Sequence, residues 1–296
     1  MPGWPEDADR GRLVHPAAPL TSALFMGRMP PYSRPGKLRG GQEMAAIDLN
    51  SDLGESYGPW QMGDDESMLS IVTSANVAAG GHASDPETMY RTLLTCEARG
   101  VVVGAHPGYP DREGFGRRVI PMQPKEIGRM IAAQIGALQA MAALAGTEVA
   151  YVKPHGALGN LAADDEAVAQ AIAETVEALP GGLAILAISG TALDQVARRR
   201  GMRVASEVFA DRNYLPNGRL VPRTRTDALI HDADAAAERL VEVLESGLMP
   251  VIGGDPIPLK AESICVHGDG EAAVAMARAL RQRLEDAGFA LRPCFG

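Results

Sequence analysis

The chain has 296 residues, of which 46% are hydrophobic and 22% charged, a balance that fits a globular protein with a large core and excludes chain-wide disorder. Its formal net charge of -9 argues against a nucleic-acid partner, because an acidic surface repels phosphates, and no apolar run approaches the roughly 18 residues of a membrane span. Cys96, Cys265 and Cys294 lack C-x-x-C spacing and are odd in number, which suits a reduced, cytoplasmic protein; Cys96 and Cys265 sit among apolar residues and read as core filler.

Residues 1–43 are rich in Pro, Gly and Arg and follow neither a helical nor a strand period. They read as a disordered leader, which leaves 44–296 as a single catalytic domain and removes His15 from consideration. Seven short apolar runs then predict strands over Ala46–Asn50, Ile71–Ala78, Val101–His106, Val149–Lys153, Leu183–Ile188, Arg203–Phe209 and Ser263–His267. Helices are expected between them. Asp85-Pro86 opens one that Gly100 stops, and Gln123-Pro124 opens another that Gly146 stops. Asp164 or Asp165 opens a third, with Asp164 assigned the cap, and others cover Thr191–Arg200, Asp232–Ser246 and Gly270–Ala287. Asp64-Asp65-Glu66 reads as a solvated helix start.

Strands alternating with helices imply parallel, right-handed βαβ units. No dinucleotide or phosphate-loop glycine signature follows any strand, which favours a TIM-like barrel over an open nucleotide-binding sheet. Two insertions, Asp211–Thr226 with its Pro216-Asn217-Gly218 turn and Gly253–Glu262, read as small hairpins placed where active-site loops would be.

Four of the six histidines, His82, His106, His155 and His267, end predicted strands or the runs after them, each beside Gly or Pro. In parallel α/β folds that edge binds ligands. Acids follow the same pattern: Asp48, Asp52 and Glu55 after the first run, Glu207 and Asp211 at the sixth, Asp269 after the last. Alternation along a strand turns Asp48, Asn50 and Asp52 to one side. Such a set transfers protons near neutral pH and is able to hold a divalent metal, for which Asp48, His106 and His155 are the candidates. Lys153 is placed to stabilise an oxyanion, and Arg117, Arg118, Arg212 and Arg223 to clamp a substrate carboxylate.

Several long blocks, in order, resemble the LamB/YcsF family. They are Ile47–Glu55, Ser74–Ala78, Val103–Asp111, Gly114–Arg118, Val152–Leu158, Ser206–Arg212 and Cys265–Asp269, so the likeness runs from about Met44 to the C-terminus. The resemblance implies a seven-stranded TIM-like barrel of the glycoside hydrolase/deacetylase kind. It also implies cleavage of 5-oxo-L-proline to L-glutamate with ATP hydrolysis, by the A component of a 5-oxoprolinase working with subunits B and C. Asp48, His106, His155, Glu207 and His267 are then the expected catalytic residues, and Asp52, Glu55, His82, Lys153, Asp211, Arg212 and Asp269 bind the small-molecule substrate. Two alternatives are a metal-dependent amidase or deacetylase and a non-catalytic barrel subunit. The chain departs from the family pattern at Ser51 and Ala79, where Cys is expected, at Gly81, where Phe is, and at Gly159, where an aromatic is usual. Losing two aromatic rings predicts a larger pocket and bears on the substrate.

Overall fold

All but the first residue of β1 (Ala46–Leu53) are buried, which marks it as a strand covered on both faces. The computed structural model describes residues 45–267 and 273–296, so the leader expected over 1–43 and the candidate Asp269 lie outside the described residues. After β1 come β2 (Ser74–Ala78), β3 (Val102–His106), β4 (Val149–Val152), β5 (Ala184–Ile188), β6 (Val204–Phe209), β7 (Leu248–Met249), β8 (Ile257–Pro258), β9 (Ser263–Cys265) and β10 (Ala290–Leu291). β1 to β6 pair in sequence, all parallel, and β9 bridges β6 back to β1 through Asp48↔Ser263 and Asn50↔Cys265. The result is a closed barrel of seven parallel strands, each within three residues of its expected ends. β10 extends the N-terminal end of β1.

The helices are α1 (Asp65–Leu69), α2 (Pro86–Arg99), α3 (Pro124–Ala145), α4 (Gly156–Asp164), α5 (Glu166–Ala178), α6 (Ala192–Arg199), α7 (Ala233–Ser246) and α8 (Ala273–Asp286). Outward-facing strand residues such as Leu49, Val77, Ala105, Ile185 and Ile264 join the helices' apolar faces in one core. α3 is long and apolar enough to cross a membrane, a property that counting uninterrupted apolar runs misses. Its Ile127, Ile131, Ile135 and Leu138 are fully buried in this core.

Asp165, not Asp164, caps α5: its Oδ1 accepts from Ala167 N at 2.9 Å and Val168 N at 3.1 Å, while Asp164 ends α4 and pairs with Arg219. Asp165→Ala is therefore expected to lower stability by about 1 kcal/mol, and Asp164→Ala by less than about 0.5, measured by urea unfolding. The acidic run before α1 is solvated at Asp64 and Glu66 only. Asp65 turns inward, accepting from Gly54 N at 2.9 Å, and burial pushes its carboxyl up.

The barrel interior is polar over most of its height. Asn50 Nδ2 donates to Ser263 Oγ, and Asn76 Nδ2 donates to Asn50 Oδ1 and Asp52 Oδ1, at 2.7–2.8 Å. Tyr151 crosses the lumen to donate to Asn76 Oδ1 at 2.7 Å. It fits because Gly104 faces it, where a Cβ would sit 2.2 Å from the ring. Below, Tyr151, Ala184, Leu186, Ala205 and the C-terminal Phe295 form a small apolar plug.

Candidate active site at the strand ends

A cavity of about 670 Å³ opens over the C-terminal ends of the strands. Of the expected catalytic residues, His106, His155, Glu207 and His267 border it. Asp48 does not. It shares the inward face of β1 with Asp52, as alternation predicts, but lies two strand residues deeper, where Thr73, Ser74 and Ser263 hydroxyls all donate to it. Three such donors saturate the carboxylate as a structural tie, so Asp48 leaves both the catalytic and the metal-ligand sets.

Lys153 is the hub of the site. Its buried Nζ lies 2.9 Å from Asp52 Oδ1, 2.9 Å from Glu207 Oε1 and 3.2 Å from Cys265 Sγ. Cys265 is thus a polar neighbour of the ammonium and not the inert filler its sequence context suggests. Burial opposes the charge on Lys153, but Asp52, Cys265 and Glu207 outweigh it and hold the ammonium well above its ordinary range. The two carboxyls diverge. Burial works against ionisation of Asp52, yet His106 and Lys153 hold it well below the usual carboxylate range, whereas burial dominates at Glu207 and pushes it up despite Lys153.

Beside this hub stand three imidazoles. His106 Nδ1 is 2.7 Å from the Lys153 carbonyl, and its Nε2 is 3.0 Å from His155 Nδ1. His155 Nε2 reaches the Phe115 carbonyl at 2.8 Å. His82 stacks on His155 with ring centroids 3.5 Å apart, and its Nε2 is 3.0 Å from Glu55 Oε1. Burial, reinforced by neighbouring imidazoles, holds His82 well below its ordinary value and takes His155 to about 3. Ligand atoms of Glu55, His82, His106 and His155 all lie within 4.8 Å of one another, the arrangement of a metal-binding set.

The segment after β3 builds this corner. Asp111 accepts from Gly114 N at 3.1 Å and pairs with Arg118, closing a tight loop in which Phe115 (φ 53°) and Gly116 (φ 60°) are both left-handed. A Cβ on Gly116 would stand 2.7 Å from His82 Cβ. This strained pair of residues delivers the Phe115 carbonyl to His155 and its ring edge to both stacked imidazoles. Arg118, spent on Asp111, does not border the cavity and is no carboxylate clamp.

The far wall comes from the Asp211–Thr226 insertion, where Tyr214 and Leu220 bridge across the expected turn at Gly218. Asp211 does not border the cavity but receives His267 Nδ1 at 2.8 Å, and Arg223 stands 3.0 Å from His267 Nε2. Arg117, Arg212 and Arg223 all border the cavity; burial and then Arg223 lower the Arg212 guanidinium to about 10. The second insertion, Gly253–Glu262, carries the β7–β8 pairing and takes no part in the cavity wall, contrary to expectation. Of the four departures from the family pattern, only Gly159 borders the cavity. At Gly81 there is no room to regain, since a Cβ would meet Gln134 Oε1 at 2.4 Å and the Gly108 carbonyl at 2.6 Å.

The sequence profile of the LamB/YcsF family matches residues 47–295, the whole of this barrel. The chain belongs to the LamB/YcsF family. Its LamB/YcsF relatives include a 5-oxoprolinase A-chain component of Agrobacterium fabrum, 50% identical over 84% of this chain and 98% of that one. A second is the corresponding 5-oxoprolinase component of Chloroflexus aggregans, 51% identical over 84% and 99%. Among solved structures, a lactam utilization protein from Thermus thermophilus is similar at 39% identity with a TM-score of 0.79, covering 83% of this chain and 99% of that one. Within this LamB/YcsF barrel the imidazoles and Lys153 stand at the strand ends, where their places in the sequence put them. Sequence reasoning missed Phe115 as a backbone acceptor, Cys265 as a neighbour of Lys153, and Asn50 and Asn76 as its supports. The left-handed Phe115 has no sequence signal, whereas Asn50 and Asn76 were findable as polar residues on the inward face of buried strands.

Proposed function

We propose that the chain is the A component of an ATP-dependent 5-oxoprolinase, opening 5-oxo-L-proline to L-glutamate in the cytoplasm in a complex with subunits B and C. The observation that carries this reading is the buried Asp52–Lys153–Glu207 arrangement on the cavity, with one carboxyl held ionised and the other pushed towards its protonated form. Groups driven apart in this way divide base and acid roles. Asp52 takes a proton from the attacking water, Lys153 steadies the negative oxygen formed at the lactam carbonyl, and Glu207 gives a proton to the ring nitrogen as the C–N bond breaks. His106 and His155 flank the water, and Asp211 orients His267. Arg212 and Arg223 hold the substrate carboxylate opposite the acidic hub. ATP hydrolysis drives the opening of a stable amide. No phosphate-binding loop occurs in the sequence, so the nucleotide site is shared with a partner protein of the complex.

Turnover of 5-oxo-L-proline and of 2-pyrrolidinone, the same ring without its carboxylate, tests this arrangement in the assembled complex. Arg223→Ala is expected to raise KM for 5-oxo-L-proline about 10- to 100-fold and to erase its preference over 2-pyrrolidinone. An unchanged preference rules out the clamp. The imidazole cluster favours one rival, a metal-dependent amidase acting alone, and ATP-independent turnover by the isolated chain would establish that reading instead.

A further inference from the structure

The hydrogen bonds around His106 and His155 fix which nitrogens carry protons. The outer nitrogen of each ring faces a backbone carbonyl: His106 Nδ1 the Lys153 oxygen at 2.7 Å, His155 Nε2 the Phe115 oxygen at 2.8 Å. Carbonyls only accept, so both outer nitrogens are N–H donors. In neutral rings the inner nitrogens, His106 Nε2 and His155 Nδ1, are then bare lone pairs, and they face each other at 3.0 Å. Carboxylates close in on the same spot. Asp52 Oδ2 is 3.4 Å from His106 Nε2, and Glu55 Oε1 is 3.7 Å from His155 Nδ1 and 3.0 Å from His82 Nε2. Acceptors gathered this closely repel one another unless a cation lies among them.

We propose that Glu55, His82, His106 and His155 bind a divalent transition-metal ion, with zinc the best fit to three imidazoles and one carboxylate. Tetrahedral zinc with bonds of about 2.0–2.1 Å places its ligand atoms about 3.3 Å apart, and the measured separations of 3.0, 3.0 and 3.7 Å bracket that figure. The carbonyl contacts at Lys153 and Phe115 are the outer hydrogen bonds that orient ligating histidines and set their tautomer. This also gives the left-handed Phe115 a purpose, since it aims that carbonyl. His82 is sealed from the cavity while Glu55, His106 and His155 border it, so the ion has three ligands on the wall and one behind. The site differs from the set expected from sequence: Glu55 and His82 enter and Asp48 leaves. It does not depend on which lactam or amide the cavity takes.

The alternative cation is a proton, which would make one of the facing rings an imidazolium and leave no metal affinity. Full-length protein stripped with a chelator and dialysed free of it separates the two. Calorimetric titration with Zn²⁺ is expected to show one equivalent bound at micromolar affinity or tighter, and Co²⁺ to give visible ligand-field absorption with imidazole coordination. His106→Gln and His155→Gln should each weaken Zn²⁺ by about 100-fold, while His267→Gln, in the neighbouring cluster, should leave it within about threefold. Failure of the stripped wild-type protein to bind Zn²⁺ or Co²⁺ would overturn the site in favour of the proton. So would binding that is indifferent to His106 and His155.

Discussion

Lys153→Met is expected to destabilise the barrel by about 3–5 kcal/mol at pH 7, the cost of leaving buried carboxylates without their cation. Asp52, Glu207 and Cys265 all turn to this one ammonium, and the side chain is buried, so water has little access to replace it. Methionine matches the stem in length, which keeps loss of packing small. The sign of the pH dependence separates this cause from a packing defect. In the native protein Asp52 is held low, so its contribution is present above the ordinary carboxylate range and is lost as pH falls. In the variant the carboxyls are pushed up instead, so the folded state binds protons more tightly than the unfolded chain. Its deficit should shrink as pH falls from 7 to 5, in urea unfolding curves collected at each pH. Adding Glu207→Gln to Lys153→Met should recover part of the loss, because one orphaned charge is removed.

His155→Ala is expected to lower 5-oxoproline turnover in the assembled complex by about 10³-fold or more, and His106→Ala by a similar factor. Each ring touches the other, a carboxylate and a backbone carbonyl, so losing either disperses the whole corner. Non-additivity is the diagnostic feature: the double variant should lose little more than either single one. Undiminished turnover in both would instead mark the chain as a non-catalytic barrel whose partners carry the chemistry. Thermal unfolding of the His155→Ala protein guards against a trivial explanation, since the Phe115 carbonyl and the face of His82 lose their partner.

Much of the fold was legible in the sequence because closed parallel barrels write short apolar strands, capped helices and glycine stops into the chain. Asp85, Asp165 and Asp232 cap as their positions suggest, and all seven barrel strands stand where apolar runs begin. α4 was not legible. It starts directly behind His155 with no side-chain cap and carries Gly156 and Gly159, so local propensity argues against it, and it is held by its place against the barrel. Strand alternation put Asp48 on the same side as Asp52 but says nothing about depth, which separates a structural tie from a residue on the cavity. The pairing of His82 with His155 and the role of Phe115 depend on contacts between loops that no period encodes.

The most direct test of the proposed activity is glutamate release from 5-oxo-L-proline by the chain assembled with subunits B and C, with and without ATP. Release should require ATP and be lost with His155→Ala. An assembled complex that releases no glutamate, or releases it equally well without ATP, would contradict the assignment.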